Sequence, residues 1–384
     1  MRCRFFEVGA CRSCPLWSVP YSKQVVAKER QVREVLGSAD DGLSWLPSVI
    51  SAEAGFRNKA KMVVTGTAAV PVLGLGTGVD LTECPLYPAA IREAFGPIKE
   101  FITRAQVQPY DLSPAAGRVT ARAAAGRGEL KHVLVTASPD RELLVRLVLR
   151  SQEPLDRLRK HLPWLQERLP SLAVLSVNIQ PEHKAVLTGE REIILTERQT
   201  LSMRLPLDPP LTLHLRPQSF FQTNTEVATA LYRQAQRWVD EIAPATVWDL
   251  YCGVGGFALA CAAPGRSVTG VELSAEAVTS ARQSAREAAT ESMFVAGDAT
   301  EFAVRAKQAP QLVIVNPPRR GIGPELAGWL EASDVPWVLY SSCNAETMAR
   351  DLIAMPSLRP VKARLLDMFP HTTHYEVMAL LRRG

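Results

Sequence analysis

The sequence lacks the features that mark membrane, secreted and repeat proteins. Its longest weakly polar stretch, Val247 to Ala263, is interrupted by Asp249 and by three glycines, so no segment resembles a membrane span. The first residues, MRCRFFEVGACRSC, contain no continuous apolar core before a small-residue cleavage site and are not typical of a secretory signal. Neither an internal repeat nor a block of like charges occurs. We therefore expect a cytoplasmic protein with no membrane contact.

Aromatic residues are also scarce, at 7%, and the net charge is only +5. This mild positive excess permits an anionic partner without requiring one. The hydrophobic content of 47% over 384 residues excludes an intrinsically disordered chain and supplies a sizeable core. A single compact unit rarely reaches this length, so two domains are expected.

The periodicity of the apolar residues changes along the chain. Between residues 56 and 221, short runs of alternating apolar residues predict antiparallel strands, interrupted by one amphipathic helix in LDRLRKHLPWLQERL. From Val247 onwards, apolar strands alternate with helical patterns, which is typical of a parallel, doubly wound α/β sheet. A further helix is expected from Ser22 to Leu36, and RLLDMFP and YEVMALLRR are expected to close the chain as an antiparallel hairpin.

The segment Trp248 to Phe257, WDLYCGVGGF, predicts an apolar strand that runs into a glycine-rich turn and then a helix. Glycines allow backbone N–H groups to approach a ligand closely at the N-terminus of a helix. Glu272 ends the next strand about twenty residues later, where a carboxylate can accept a hydrogen bond from a ribose hydroxyl. The spacing differs from the dinucleotide pattern G-x-G-x-x-G. It therefore favours an adenosine ligand such as S-adenosylmethionine over NAD.

Two reactive side chains are predicted at the same edge of this sheet. VNPPRRG, residues 315–321, follows the fourth strand of the second half, and YSSCN places Cys343 after the fifth strand and before a helix. Ligands bind at the carboxyl ends of such strands, and a thiol near a helix N-terminus is biased towards the nucleophilic thiolate. In HTTHYEV, Glu376 lies in an apolar strand, where desolvation raises the pKa of a carboxyl group and suits a general base. A salt bridge from Glu376 to an arginine stays open on periodicity alone.

Three of the seven cysteines lie within the first fourteen residues. Cys3, Cys11 and Cys14 have the spacing C-x₇-C-x₂-C, and Cys84 in TECPLYP supplies a fourth candidate ligand. Four thiolates suit either zinc or a [4Fe–4S] cluster; the single C-x₂-C pair, with a proline after both Cys14 and Cys84, favours the cluster. The cysteines outside this set and the YSSCN motif are predicted to pack in the core: Cys252 and Cys261.

Together these motifs resemble the RNA uracil-5-methyltransferase family, and within it the branch that methylates uridine 747 of 23S ribosomal RNA and carries an iron–sulfur cluster. The resemblance covers nearly the whole chain, because it also includes GFRNKAKM, CPLYP, RPQSFFQTN and FPHTTHYEV. It implies that Cys343 is the nucleophile and that Glu376 is the base that removes the C5 proton. It implies that four residues contact S-adenosylmethionine: Gln222, Tyr251, Glu272 and Asn316. It implies that four cysteines hold a [4Fe–4S] cluster: Cys3, Cys11, Cys14 and Cys84.

The expected fold is a C-terminal Rossmann-like, S-adenosylmethionine-dependent methyltransferase domain preceded by an N-terminal β-rich α+β domain with a cysteine cluster. Residues 1–90 are expected to hold the cysteines and the start of the central domain, residues 91–210 the β-rich central domain, and residues 211–384 the methyltransferase domain. Two positions depart from the family pattern, in which Phe often stands at position 251 and Asp at position 316. Tyr251 keeps an aromatic wall, whereas Asn316 removes a charge and is expected to act through its amide.

The implied partner is 23S ribosomal RNA, bound by a monomer. Arg57, Lys59 and Lys61 in GFRNKAK are candidates for phosphate contacts. The Ala- and Arg-rich stretch from Ser113 to Gly128 is not part of the family pattern and is expected to be a surface insertion. Three alternatives stay open: methylation of another uridine, in transfer RNA or elsewhere in 23S RNA; a non-catalytic iron–sulfur RNA-binding protein; and a redox enzyme, although no flavin or NAD fingerprint is present.

Overall fold

The structure, a computed structural model, describes residues 2–37, 42–111, 128–182 and 188–384. Of the stretch expected to form a surface insertion, residues 113–127 lie outside the described residues. In the described part of the chain, no helix combines the length and the apolar character that a membrane crossing requires.

The chain divides into two units, one formed by Met1–Arg12 with Ala54–Ser202 and the other by Ser13–Glu53 with Met203–Gly384. This division differs from the three regions expected from the sequence. Residues 13–53 fold with the methyltransferase end of the chain, and no boundary falls at residue 90. A helix begins there and packs on strands of its own unit, so the chain on both sides shares one core.

The helices, in chain order, are α1 (Arg4–Glu7), α2 (Tyr21–Leu36), α3 (Ala89–Arg104), α4 (Leu155–Arg168), α5 (Thr225–Ile242), α6 (Gly256–Ala260), α7 (Ala275–Glu287), α8 (Ala299–Arg305), α9 (Gly323–Ala332) and α10 (Ala345–Ile353). The strands are β1 (Ser44–Trp45), β2 (Lys59–Gly66), β3 (Pro71–Gly74), β4 (Leu130–Ala137), β5 (Leu143–Leu149), β6 (Leu172–Ile179), β7 (Arg191–Ile194), β8 (Leu201–Leu205), β9 (Leu211–Leu215), β10 (Thr246–Leu250), β11 (Ser267–Glu272), β12 (Met293–Ala296), β13 (Leu312–Val315), β14 (Trp337–Ser342), β15 (Leu358–Leu366) and β16 (Glu376–Arg383).

The first unit is built on a six-stranded sheet in the order β3-β2-β4-β5-β6-β7. Its strands pair antiparallel, as predicted, except β5 with β6, which are parallel because α4 returns the chain between them. The leucine stripe forms the predicted helix, and Leu158 and Leu165 have no exposed surface. The alternation in β2 buries Ala60 and Met62 in the same core.

The second unit is built on an eight-stranded sheet in the order β1-β15-β16-β14-β13-β10-β11-β12. Strands β10 to β14 are mutually parallel, whereas β16 runs antiparallel to both β14 and β15. The chain leaves β10 towards β11 and β12 and later returns on the other side of β10 through β13. This reversal creates a switch point, at which ligands bind to sheets of this kind. The predicted Rossmann-like architecture, with its closing antiparallel hairpin, is confirmed.

Helix α2 is held to the second unit by a buried ion pair. The Lys28 ammonium donates to Asp367 Oδ1 at 2.7 Å and to the Phe369 carbonyl at 3.0 Å. Both charged side chains are almost fully buried, at 3% and 0% exposure. Burial lowers the Lys28 pKa, against the favourable charge of Asp367. The pair therefore links the segment before residue 53 to the loop that follows β15.

Lys28→Met should lower the free energy of unfolding by about 3–5 kcal/mol, because it leaves the Asp367 carboxylate buried without its partner. Arg30→Ala is the matched control, since Arg30 and Glu34 lie on the same helix 3.6 Å apart and are 78% and 68% exposed. An exposed pair of this kind contributes about 1 kcal/mol or less. Urea unfolding of both variants measures the difference, and equal losses would show that the buried pair has no special weight.

Candidate active site

Three predicted site residues lie side by side where the parallel strands end. Glu272 is the last residue of β11, and Tyr251 and Asn316 directly follow β10 and β13. Leu250 pairs with Val271 on one side and with Val315 on the other. Tyr251 has φ 82°, and the N–H groups of Tyr251 and Cys252 both donate to the Val271 carbonyl at 3.0 Å, so the chain turns directly after β10. The acid, the aromatic residue and the amide therefore come from the carboxyl ends of three adjacent strands.

The glycine-rich turn is fixed by its backbone and by a close aromatic neighbour. Gly255 has φ 89°, a left-handed conformation that side chains disfavour. A Cβ on Gly256 would lie 2.5 Å from the Tyr232 ring, so only glycine fits between α5 and α6. Glu272 holds the turn by accepting hydrogen bonds from Gly253 N at 3.1 Å and from Ser274 N at 2.9 Å. Its carboxylate is therefore oriented before a ligand binds.

Tyr251 and Gln222 are both anchored within the second unit. Burial raises the pKa of the Tyr251 hydroxyl, to which the Thr300 side chain is hydrogen-bonded. Gln222 is buried and lies two residues before Asn224, which caps α5 by accepting from Val227 N at 3.3 Å. The same α5 supplies Tyr232 to the glycine turn, so the QTN segment and the turn share one helix as support.

Cys343 and Glu376 lie at the adjoining ends of two antiparallel strands. Ser341 pairs with Met378 and Ser342 with Val377. Cys343 directly follows Ser342, the last residue of β14, and Glu376 directly precedes Val377 as the first residue of β16. Burial and the nearby charge of Glu376 both raise the pKa of the Cys343 thiol, so the two groups are close enough to interact. The structure therefore brings together the predicted nucleophile and the predicted base.

The Glu376 carboxyl group is 2% exposed and is the first residue of β16. Burial raises its pKa to about 7, and a hydrogen bond from Ser341 opposes this shift. The Ser341 hydroxyl donates to Glu376 Oε1 at 2.5 Å. No arginine partner of the kind left open by the sequence is present on Glu376 among the described residues. A pKa near 7 suits a general base at neutral pH, because the ionised form is present and can hold the proton that it accepts.

The expectation that Cys343 favours the thiolate is wrong for the free protein. Burial and the neighbouring charge of Glu376 raise the pKa of the Cys343 thiol, and a hydrogen bond with the Arg319 side chain opposes them. Asn344, which follows Cys343, is the N-cap of α10, and its side chain accepts from Glu346 N at 3.1 Å. Arg319, from the VNPPRRG loop, is the cation that favours the thiolate.

A buried carboxylate holds this loop in place. Asp351 on α10 accepts hydrogen bonds through Oδ2 from Ile322 N at 2.9 Å and from the Tyr340 hydroxyl at 2.7 Å. The bonds join the loop that carries Arg319 to the helix that follows Cys343. Sequence reasoning missed Asp351, because a polar residue in an amphipathic helix gives no signal of burial. It also missed the role of Arg319, although this residue lies within the VNPPRRG motif.

Asp249 was also missed, although it lies within WDLYCG. Its carboxyl group is fully buried and accepts from Ala258 N at 2.9 Å through Oδ2, whereas Oδ1 has no partner in the described structure. Burial raises its pKa to about 7. A lone acid in an otherwise apolar strand is the signal that could have identified it.

The loop that leads into Glu376 is anchored by the segment before residue 53. His371 has φ 64°, and its ring is tilted against that of Trp17, with ring centroids 4.5 Å apart and an interplanar angle of 50°. Gln24 Oε1 accepts from His371 N at 2.9 Å, and the His371 carbonyl accepts from Leu16 N at 3.0 Å. With the Lys28 ion pair, these contacts fix the start of β16. Amphipathic periodicity predicts α2 but gives no indication of this function.

The cysteines separate into two groups. Cys252 and Cys261 are buried, as predicted for packing residues, and burial raises the pKa values of both thiols. In the first unit, Cys3 and Cys11 raise the pKa of the Cys84 thiol, which burial raises further. All three pack against the same apolar cluster, and Cys14 belongs to the second unit. Among the described residues, no group of three or more side chains is arranged to hold a single metal ion.

The phosphate-contact candidates differ in accessibility. The alternation of β2 places Lys59 and Lys61 on the side opposite the apolar core, and Lys61 is exposed. Lys59 is partly buried, and this burial, with the charges of Lys61 and Arg146, lowers its pKa to about 8. Burial therefore makes Lys59 a weaker candidate for phosphate contact than its sequence position indicates.

Comparison with known proteins shows the family. Residues 186–384 match the family described as tRNA (Uracil-5-)-methyltransferase. The chain is 52% identical to the 23S rRNA (uracil(747)-C(5))-methyltransferase RlmC of Halothiobacillus neapolitanus and 48% identical to RlmC of Edwardsiella ictaluri, in each case over 100% of both chains. The chain belongs to this family of uracil-5-methyltransferases.

One solved structure of the uracil-5-methyltransferases is similar over almost the whole chain. It is the tRNA (uracil-54, C5)-methyltransferase of Pyrococcus abyssi in complex with S-adenosyl-L-homocysteine, with a TM-score of 0.77 and 25% sequence identity. The similarity covers 96% of this chain and 85% of that one.

The Gly256–Tyr232 contact in this uracil-5-methyltransferase predicts the effect of adding one methyl group. Gly256→Ala should lower the free energy of unfolding by about 1–3 kcal/mol, because the buried Tyr232 ring has no room to move. Gly328→Ala is the control: Gly328 is exposed within α9 and has nothing within 4 Å of an added Cβ. That change should stabilise by about 0.5–1 kcal/mol. Thermal unfolding distinguishes the two, and a neutral Gly256→Ala would contradict the close approach.

Proposed function

We propose that this chain methylates C5 of uridine 747 in 23S ribosomal RNA, with S-adenosylmethionine as methyl donor and through a covalent bond between Cys343 and C6 of the base. The observation that carries the chemistry is the proximity of Cys343 and Glu376 at the adjoining ends of β14 and β16. The choice of uridine is supported by the full-length identity to the RlmC proteins. A ribosomal RNA substrate implies that the protein acts in the cytoplasm, and we propose that it acts there as a monomer.

The reaction needs a nucleophile because uracil C5 is unreactive by itself. The Cys343 sulfur attacks C6, and the electrons of the C5–C6 bond move into an enolate that makes C5 nucleophilic. Arg319 donates to the sulfur and favours the thiolate over the buried thiol. When bound, S-adenosylmethionine supplies an electrophilic methyl group to C5. The target base must leave its stack to reach Cys343, which favours a loop or distorted region of RNA.

Glu376 completes the reaction by taking the C5 proton. The electron pair of the C5–H bond restores the C5–C6 double bond, and the bond from C6 to the Cys343 sulfur breaks. Glu376 must be ionised to accept the proton. Because its pKa is raised to about 7, we expect this step to accelerate as the pH rises through neutrality and to slow below it.

We propose that three of the cofactor contacts come from the carboxyl ends of β10, β11 and β13. Glu272 offers a carboxylate that is already oriented by Gly253 N and Ser274 N, as a ribose hydroxyl requires. Tyr251 offers an aromatic wall beside it, and the Asn316 amide orients a ligand without adding charge. Gln222 supplies a buried amide from the segment that precedes α5.

We propose that the early cysteines, Cys3, Cys11 and Cys14, bind a [4Fe–4S] cluster with Cys84 as the fourth ligand. The single C-x₂-C pair and the prolines that follow Cys14 and Cys84 favour this cluster over zinc. Cys3 and Cys11 lie near enough to Cys84 for their charges to act on its thiol. No step of the methylation passes through this cluster.

Anaerobically purified protein should be brown and contain about four irons per chain, as a [4Fe–4S] centre requires. Cys84→Ser should lose the visible absorbance, because it removes a proposed ligand. Cys261→Ser, which changes a cysteine outside the set, should keep the colour. Stoichiometric zinc in colourless protein would contradict the cluster and leave only a four-cysteine site.

Cys343→Ala should reduce methyl transfer to background, because without addition at C6 the C5 carbon stays unreactive. RNA with 5-fluorouridine at the target should trap the wild-type protein covalently, since fluorine cannot leave as a proton does, and should not trap Cys343→Ala. The label from S-adenosylmethionine on unmodified 23S RNA should map to uridine 747.

Cys261→Ala is the control, because it removes a thiol of the same unit that is buried in the core. It should keep both turnover and trapping. Trapping of Cys343→Ala would remove Cys343 from the reaction. A label on another uridine of 23S RNA, or on transfer RNA, would contradict the target alone.

A further inference from the structure

We propose that Ser341 is a positioning residue for Glu376: its hydroxyl occupies one carboxylate oxygen, leaves the other to receive the C5 proton, and favours the ionised form of the base. This inference rests on the proposed role of Glu376. It concerns a serine in YSSCN to which the sequence assigned no role.

The geometry follows from strand alternation and register. Ser341 is the second-last residue of β14, and Cys343 directly follows the end of that strand. Ser341 pairs with Met378, two residues after Glu376 in β16. Ser341 and Glu376 are therefore diagonal neighbours on one face of the sheet. The short Oγ–Oε1 distance of 2.5 Å joins them directly.

Few other groups compete for the Glu376 carboxylate. Cys343 faces it from the end of β14, and Tyr232 on α5 is a buried neutral hydroxyl whose pKa Glu376 helps to raise. On the β15 side, Glu376 pairs with Leu366, and the adjacent Asp367 is bound to Lys28. None of these supplies a positive charge to Glu376. Within the described residues, the Ser341 hydroxyl is the donor that offsets its burial.

A hydrogen bond to the charged form of an acid favours ionisation, whereas burial favours the neutral form. With Ser341 fully buried beside a carboxyl group that is 2% exposed, the bond is not weakened by competing water. Removing the hydroxyl therefore shifts the balance towards the protonated acid, which cannot accept the C5 proton. Methyl transfer precedes this step, so its own rate should change little.

The test is a single-turnover assay on unmodified 23S RNA labelled with tritium at C5 of uridine, with saturating S-adenosylmethionine, from pH 5.5 to 9. Tritium release reports proton removal, and a denaturing gel reports the covalent protein–RNA adduct. In Ser341→Ala the midpoint of tritium release should move up by about one pH unit, because bonds to charged groups are worth about one to two pKa units. Below the midpoint, release should slow about tenfold and the adduct should accumulate.

Two further variants keep the test independent of folding. Ser341→Thr restores the hydroxyl and should restore the wild-type midpoint, whereas Ser341→Cys keeps the volume with a weaker donor and should shift the midpoint upwards. Ser280→Ala is the control, because Ser280 is a buried serine on α7 whose hydroxyl has no hydrogen-bond partner in the described part of the chain. It should leave the profile unchanged.

A profile of Ser341→Ala that coincides with the wild type would overturn the proposal. So would a loss that is equal at every pH and is not relieved by Ser341→Thr, because that pattern indicates a structural role alone. Glu376→Gln separates this failure from that of the proposed function. If Glu376→Gln accumulates adduct while Ser341→Ala behaves as the wild type, Glu376 is still the base and only the proposed role of Ser341 is wrong. If Glu376→Gln turns over normally, the proposed roles of Glu376 and Ser341 are both wrong.

Discussion

The arrangement of the site depends on one antiparallel pairing in a sheet that is otherwise mostly parallel. The parallel strands β10, β11, β13 and β14 all end at the edge where ligands bind, and residues just past their ends line it. Strand β16 runs the other way, so its first residue reaches that same edge. Glu376 can therefore begin a strand exactly where Cys343 follows one. The backbone ladder, rather than a long loop, sets the spacing between thiol and carboxylate.

Burial is the second constraint, and it acts on both reactive groups in the same direction. It raises the pKa of the Cys343 thiol and of the Glu376 carboxyl group, so both are biased towards their neutral forms in the free protein. Each has one polar neighbour that opposes burial: Arg319 for the thiol and Ser341 for the carboxyl group. Because each neighbour comes from a loop or strand fixed by other contacts, among them the Asp351 hydrogen bonds, the balance is built into the fold.

Much of the fold and part of the candidate site could be predicted from the sequence, and the features that could not be predicted have physical reasons. Alternation and helical periodicity predicted α2, α4 and the order of strands from β10 to β16, because those patterns record which face is buried. Position at strand ends drew attention to Glu272 and Cys343, whereas Glu376 was singled out as a carboxyl group within an apolar strand, of which it is the first residue. The predicted ionisation state of the Cys343 thiol was wrong, because its pKa depends on burial and on charged groups that only the fold brings near.

Long-range contacts were beyond the reach of sequence patterns. The pairing of Lys28 with Asp367, the hydrogen bonds of Gln24 with His371 and the support from Asp351 join residues with no local relation. The division of the chain was missed for the same reason, since the segment from residue 13 to residue 53 belongs to a unit whose other residues begin at position 203. Periodicity records burial within an element and is silent on which distant element covers it.

The Lys28–Asp367 pair joins residues 339 positions apart. During synthesis Lys28 leaves the ribosome early, whereas its ion-pair partner Asp367 and the base Glu376 are among the last residues to be added. Helix α2 can therefore form its buried ion pair only after nearly the whole chain has been synthesised. Loops of this length close slowly, and contacts that span them form late in folding. Docking of α2 and completion of the base-bearing strand thus become one late event, and a chain interrupted before that event contains the nucleophile without its base.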